Sequence, residues 1–341
     1  MHHTPYRAAR LWAVALCGCI LLTVGISTAA AAGGSESDTV RVGIAQFVTH
    51  PALDAVRQGL IDELTERGWD DIEYDVQNAS ADISTARQIA AKFQSDRVDI
   101  AVGIATPVAQ ALKAGLDEIP IVYTAITDPV SAGLAASLTV GEPGITGVSH
   151  RTPVQQQIAF MAELRDVRTL GHIYSAGESN AVFLAEQTRA AAAALGIEFV
   201  DQTIVNPSEV RAAAQSIIDR VDAIYVSTDN QVVSALSALS EVATEAGVPI
   251  LSADPASALD NEVFVAWGFD WYAIGRTTGE LVDRILRGED PGTIPTVLAD
   301  DADEMEMVLN LDVAERLGID VPADLVQSAQ TVIEDGAVNS R

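Results

Sequence analysis

The stretch IAVGIATPVAQALKAGLDEIPIVYTAITDPVSAGL (residues 100–134) decides the fold. Ile100 to Ile104 is a short, wholly apolar run, the signature of a strand buried on both faces. It breaks at Ala105-Thr106-Pro107, where Pro opens a helix that needs no N–H at its first position. Pro107 to Ala114 has helical periodicity. A second apolar run, Ile121 to Ala125, then ends in the same way at Thr127-Asp128-Pro129. Strand, polar helix start, helix and strand form a βαβ unit, and such units build parallel sheets.

The pattern extends in both directions. Upstream, Val40 to Phe47 and Ile72 to Val76 read as strands, with helices at about 51–67 and 84–94. Downstream of Gly144-Ile145-Thr146-Gly147 a second series begins. Its strands are Leu170 to Tyr174, Glu198 to Ile204, Ala223 to Ser227 and Pro249 to Ser252, alternating with helices at about 180–195, 209–218 and 231–246. The two series share element order and spacing without residue-level repetition. Two α/β lobes therefore fit better than one sheet of ten strands. Val263 to Phe269, an amphipathic helix from Trp271 to Arg287, and a short strand and helix near the end are too little for a third domain. They are expected to complete the earlier sheets. The expected organisation is lobe 1 at 40–148 plus about 270–297 and lobe 2 at 149–269 plus about 298–336. Three crossings, near 147–150, 268–271 and 296–300, join them.

Residues 1–32 read as an export signal: Arg7 and Arg10, an apolar run from Leu11 to about Ile26, then small residues with cleavage near Ala30 to Ala32. An uncleaved anchor is the alternative. Leu16-Cys17-Gly18-Cys19 resembles a lipoprotein cleavage box that would lipidate Cys19, but the apolar run continues past it, which favours ordinary cleavage. The expected location is periplasmic, or extracellular and membrane-associated. Both cysteines lie in this segment, so the remainder has no thiol chemistry.

The formal charge is −28, from 20 Lys+Arg against 48 Asp+Glu, and Lys92 and Lys113 are the only lysines. Such a chain lacks the basic face that nucleic acid requires. The acidic surface fits either adaptation to high salt or simple solubility. Outside the signal the histidines are His50, His150 and His172, far apart and without metal-ligand spacing. There is no Walker loop, no G-x-G-x-x-G after a strand and no G-x-S-x-G elbow. No enzyme, metal or cofactor is expected. His50, just before Pro51, reads as ordering the first helix start, with direct ligand contact as the alternative.

In parallel sheets ligands bind beyond the carboxyl ends of the strands. The loops there are 105–107, 127–129, Gly177-Glu178-Ser179-Asn180, Ser227-Thr228-Asp229-Asn230 and Ala253-Asp254-Pro255. Helix-start N–H groups suit a carboxylate, and Asp229, Asp254 and Asp270 suit an ammonium. An amino acid carries both. Each loop alone also reads as ordinary helix capping.

Thr49-His50-Pro51-Ala52-Leu53-Asp54, Asn78-Ala79, Ala105-Thr106-Pro107-Val108-Ala109-Gln110 and the 127–134 run resemble a family of ABC-transporter substrate-binding proteins that includes tryptophan- and tyrosine-binding members. The likeness continues through 144–149, 177–180, 228–230 and Gly268-Phe269-Asp270-Trp271-Tyr272-Ala273-Ile274-Gly275, and covers roughly residues 40 to 335. It implies a type I periplasmic-binding-protein fold, no catalysis, hinge closure over a small molecule, and an ABC permease as membrane partner. The chain is expected to be a monomer. The contacts it implies are Asn78, Thr106, Thr127, Asp128, Asn180, Asp229, Asn230, Asp254 and Asp270. Asp229 or Asp254 would take the ammonium, and Thr106 with Thr127 the carboxylate. Phe47, Tyr123 and Trp267 fit either stacking on an aromatic ligand or core packing. A ligand-sensing role, or a sugar or nucleoside ligand, remains open on the same fold.

Overall fold

The computed structural model describes residues 39–299 and 305–341; the expected signal, Cys17, Cys19 and part of the third expected crossing lie outside them. Lobe 1 is a six-stranded, all-parallel sheet ordered β11-β5-β4-β3-β1-β2. Its strands are β1 (Arg41–Gln46), β2 (Glu73–Asn78), β3 (Ile100–Ile104), β4 (Ile121–Ile126), β5 (Ile145–His150) and β11 (Val297–Ala299). Helices α1 (Pro51–Glu66), α2 (Ile83–Asp96) and α3 (Thr106–Gly115) connect the first four strands. Since β1 to β2 steps one way across the sheet and β2 to β3 to β4 the other, right-handed crossovers put α1 opposite α2 and α3. Both faces are thus covered, which is why β3 and β4 are buried throughout.

Lobe 2 holds β6 (Thr169–Ser175), β7 (Glu198–Ile204), β8 (Ala223–Val226), β9 (Ile250–Ser252), β10 (Val265–Phe269), β12 (Met305–Asn310), β13 (Thr331–Glu334) and β14 (Ala337–Ser340). They form one sheet ordered β14-β13-β12-β10-β9-β8-β6-β7. Its helices include α4 (Val154–Leu164), α5 (Ser179–Ala194), α6 (Val210–Ile217), α7 (Asn230–Ser234), α8 (Leu236–Ala246) and α9 (Pro255–Ala258). The chain returns along β12, antiparallel to β10, and ends in the antiparallel β13–β14 pair, which the sequence reading did not anticipate. The fold class is the expected one: α/β, with two lobes and largely parallel sheets.

Helix α10 (Trp271–Leu286) leaves lobe 2 after β10 and packs along α1 in lobe 1. The contact is close because it is made by glycine. A Cβ on Gly275 would sit 2.2 Å from the Val56 carbonyl oxygen, and one on Gly59 2.3 Å from that of Tyr272. Around this seam Arg276 pairs with Glu63 and Glu66, Arg67 with Glu63 and Glu280, and the Trp69 indole N–H donates to Asp283 at 2.7 Å. Backbone atoms have nowhere to retreat, so Gly275→Ala should lower stability by about 3 kcal/mol. Thermal and urea unfolding would read this directly; an unchanged midpoint would mean that the helices tolerate a wider spacing.

Candidate functional site

In each sheet the strand order reverses once, between β1 and β3 in lobe 1 and between β6 and β8 in lobe 2. Loops leaving a sheet at such a point diverge and leave a crevice. Here the two crevices face one another. Lobe 1 presents the loop from Phe47 to His50 and the Ala105-Thr106 turn; lobe 2 presents 176–180 and 227–230, with 253–255 beside them. Ala105 (φ 84°) and Ala125 (φ 56°), at the ends of β3 and β4, take a left-handed backbone that alanine adopts at a cost.

A small cavity at this junction, ≈ 20 Å³, is lined from lobe 1 by His50, Ala52, Leu53, Ala125, His150 and Trp271, and from lobe 2 by Thr228, Asp229, Asn230, Val233 and Asp254. None of these is Lys or Arg. Asp254 is buried, its Oδ1 accepting from the Trp271 indole N–H at 3.1 Å and its Oδ2 from the Ser257 hydroxyl at 2.7 Å. The His50 ring lies 4.0 Å from the same Oδ2, across the junction between lobes. Burial lowers the His50 pKa against the pull of Asp254, and it drives that of His150 down to about 3. Both rings are therefore neutral at physiological pH. His150 packs edge-on against Phe269 and Trp271.

Asp229 is buried and occupied by its own lobe. Its Oδ2 accepts from the Ser175 N–H at 2.5 Å, and its Oδ1 from the Ser175 hydroxyl and the N–H groups of Gln231 and Val232. It caps α7 and ties the β6 loop to the β8 loop. Glu178 is also buried, and its Oε2 accepts from the Asn230 amide at 2.5 Å. Burial first, and the Asp229 charge second, push the Glu178 pKa up to about 8; burial also raises that of Asp229. Buried polar atoms without a protein partner gather here: both ring nitrogens of His50 and of His150, and the free oxygens of Thr106, Glu178, Asn180, Ser227 and Thr228. Buried polar groups are ordinarily satisfied, so a cluster of exceptions points to chemistry supplied from outside the chain.

The residues singled out from sequence divide. Asp229, Asn230 and Asp254 line the junction cavity; Asn180, whose amide donates to the Thr228 carbonyl, and Thr106, at the start of α3, do not line it. Thr127 and Asp128 line a different, wider cavity. Asn78 lines neither; its amide donates to Thr49 Oγ1 and its oxygen accepts from Ser80 N, bracing two loops. Asp270 caps α10 through the Ala273 N–H and lines a separate hollow at the 297–299 crossing. The aromatic residues are placed by packing. Phe47 and Tyr123 are buried in the core of lobe 1, with the Tyr123 hydroxyl on Thr296, and Trp267 meets Phe160 of α4. None of the three lines either cavity, and Phe47 and Tyr123 follow the core-packing alternative. His50 is the N-cap residue of α1 through its backbone carbonyl, which accepts from the Asp54 N–H, while its side chain makes no capping bond and faces Asp254.

His150 and Trp271 were missed as lining residues, and so was Glu178, a buried acid that bonds the lining residue Asn230. Glu178 sits in a loop that the sequence reading placed at the strand ends, without a role of its own there. Among the described residues no group of three or more His, Cys, Asp or Glu is placed to hold a metal ion.

The family model described as ABC transporter substrate binding protein matches residues 41–333. A tyrosine-binding protein of Clostridioides difficile is 34% identical over 280 residues, 81% of this chain and 80% of the relative. The solved structure of an ABC domain from Streptococcus pneumoniae in complex with L-Trp has a TM-score of 0.82 at 29% identity, covering 86% of this chain and all of that one (100%). The ligand-free, open structure of a substrate binding protein with adhesive properties from Clostridium difficile scores 0.62 at 31% identity, covering 84% and 97%.

The buried acid has a consequence for stability. Folded Glu178 holds its proton to about pH 8 while the unfolded carboxyl releases it near 4.5. Between these values the folded state binds more protons, so stability falls as pH rises, by up to about 1.4 kcal/mol per pH unit. Urea unfolding from pH 5 to pH 8 should show that slope in the unliganded wild type and a flatter one in Glu178→Gln. Parallel profiles would assign the pH dependence to other groups.

Proposed function

Because the chain belongs to the ABC transporter substrate-binding protein family, we propose that it is the exported binding component of an importer and that it holds an amino acid between its lobes. The observation that carries this reading is the charge of the junction. Asp254 and Asp229 line the cavity, Glu178 is buried behind Asn230, unpartnered polar atoms lie around them, and the described lining contains no cation. An ammonium group is the natural complement, since a buried carboxylate is costly unless paired.

In this reading Asp254 receives the ammonium. Each of its oxygens has a single protein donor and room for another, whereas Asp229 is engaged by four. Glu178 supports the cation by losing its proton when the positive charge arrives. Thr106, at the start of the ten-residue α3, offers its hydroxyl and the first N–H groups of the helix to the carboxylate. The tyrosine-binding relative and the L-Trp complex support a ligand with an aromatic side chain, and Trp271 and His150 would flank it.

Closure of the lobes supplies the mechanism. His50 faces Asp254 from the opposite lobe, and the Gln110 amide of α3 donates to the Ser179 hydroxyl of α5 at 3.3 Å, also across the junction. At similar identity, the chain superposes better on the L-Trp complex than on the ligand-free, open structure, which supports a closed arrangement here. The cavity is too small for an amino acid, so entry requires the lobes to part. A ligand that contacts both lobes then stabilises the closed form through its differential affinity. The closed pair of lobes would be what the membrane permease engages.

Thermal-shift and calorimetric titration of the exported chain against the common amino acids, nucleosides and sugars tests the reading. A shift confined to amino acids, largest for aromatic ones, is expected. Asp254→Asn should weaken that ligand at least tenfold, about 1.4 kcal/mol. A response only to sugars or nucleosides, or an unchanged affinity in Asp254→Asn, would overturn the ammonium assignment.

A further inference from the structure

The roomiest cavity near the junction is not the one holding the buried acids. A pocket of ≈ 250 Å³ opens between the loop after β4 in lobe 1, the crossing after β5, and α5 of lobe 2. It shares no lining residue with the central cavity. Its composition is also different: Arg151 and Asp128 line it together, with Phe183, Leu184 and Leu138 as apolar wall.

Among the described residues Arg151 makes no hydrogen bond or ion pair, so its planar guanidinium remains available as a two-pronged donor for a carboxylate. Asp128 uses only Oδ1 on the chain, accepting from the N–H groups of Val130 and Ser131 at 2.9 and 3.1 Å, and its Oδ2 has no protein donor. Next to Arg151, Thr152 carries a buried hydroxyl without a partner. Among the described residues, one cation, one anion, a spare hydroxyl and an apolar wall form a mixed-charge site, whereas the central cavity is acidic only.

We propose that this outer pocket is a second binding site, and that it takes a zwitterionic amino acid with a large apolar side chain. The carboxylate pairs with Arg151 and is bonded by Thr152, the ammonium lies on Asp128, and the side chain covers Phe183 and Leu184. Because the walls come from both lobes, an occupant there favours the same closed arrangement as one at the centre. The inference stands apart from the reading of the central cavity, because it rests on different residues and a different charge pattern.

Equilibrium dialysis of the exported chain with radiolabelled L-phenylalanine at millimolar concentration counts the sites. Two per wild-type chain are expected, falling to one in Arg151→Ala and, by loss of the other site, to one in Asp254→Asn. Arg151→Lys should recover part of the outer binding, and 3-phenylpropanoate, which lacks the ammonium, should compete at least tenfold more weakly there. Arg151 is exposed, so its variants should melt with the wild type. A single site abolished by Asp254→Asn and untouched by Arg151→Ala would overturn the outer site. A single site with the opposite response would uphold it and remove the central assignment. No bound phenylalanine in any variant would overturn the outer site.

Discussion

Much of this molecule depends on how near two helices can come. Helices α1 and α10 lie about two hundred residues apart in the chain and meet at glycines, Gly59 and Gly275, with space for backbone and nothing else. The seam does more than complete the core of lobe 1. Both helices begin at the central cavity: α1 directly after His50, with Ala52 and Leu53 in its first turn, and α10 with Trp271. Their spacing therefore sets the lobe 1 wall of the cavity and the position of the indole N–H that holds Asp254. A packing constraint in the scaffold and the shape of the site are one and the same contact.

Electrostatics gives that site its character. Elsewhere the chain's few cations are mostly spent on surface pairs, such as Lys92 with Asp75 and Asp96, or Arg276 with Glu63 and Glu66. The central cavity receives none. Its carboxylates are held by hydroxyls, an amide, an indole and backbone N–H groups, neutral donors that soften a buried charge without cancelling it. That leaves Glu178 with an elevated pKa and the two neighbouring histidines neutral. The excess of acid over base in the overall composition is thus repeated, for a different reason, inside the fold.

The parallel-sheet architecture was legible because apolar runs such as Ile100 to Ile104 end in helix-start residues, and because a strand buried on both faces has no polar alternation to disguise it. The strand-end loops were legible for the same reason, and with them Thr106, Asn180, Asp229, Asn230 and Asp254. What the sequence could not show was which cap is also a wall. Asp229, Asp254 and Asp270 all look alike as acids before a helix, yet one is saturated by its own lobe, one is shared between an indole and a serine, and one lies outside the central cavity. Aromatic residues stayed open to two readings for a related reason: Phe47, Tyr123 and Trp267 lie in or beside strands, and only the facing elements decide whether a ring meets a cavity or a core. His150 and Trp271 come to the cavity through chain crossings between lobes, and no local pattern carries that information.

The bonds made by Asp229 have one further consequence. By holding both Ser175 groups and the first N–H groups of α7, it locks the β6 and β8 loops of lobe 2 into a single rigid piece, with Asn230 and Glu178 fixed beside it. None of those bonds reaches into lobe 1. On the closing motion proposed above, that half of the cleft would keep its shape whether the lobes stand apart or together. On that proposal a ligand would meet the prebuilt lobe 2 surface first and be enclosed by lobe 1 second.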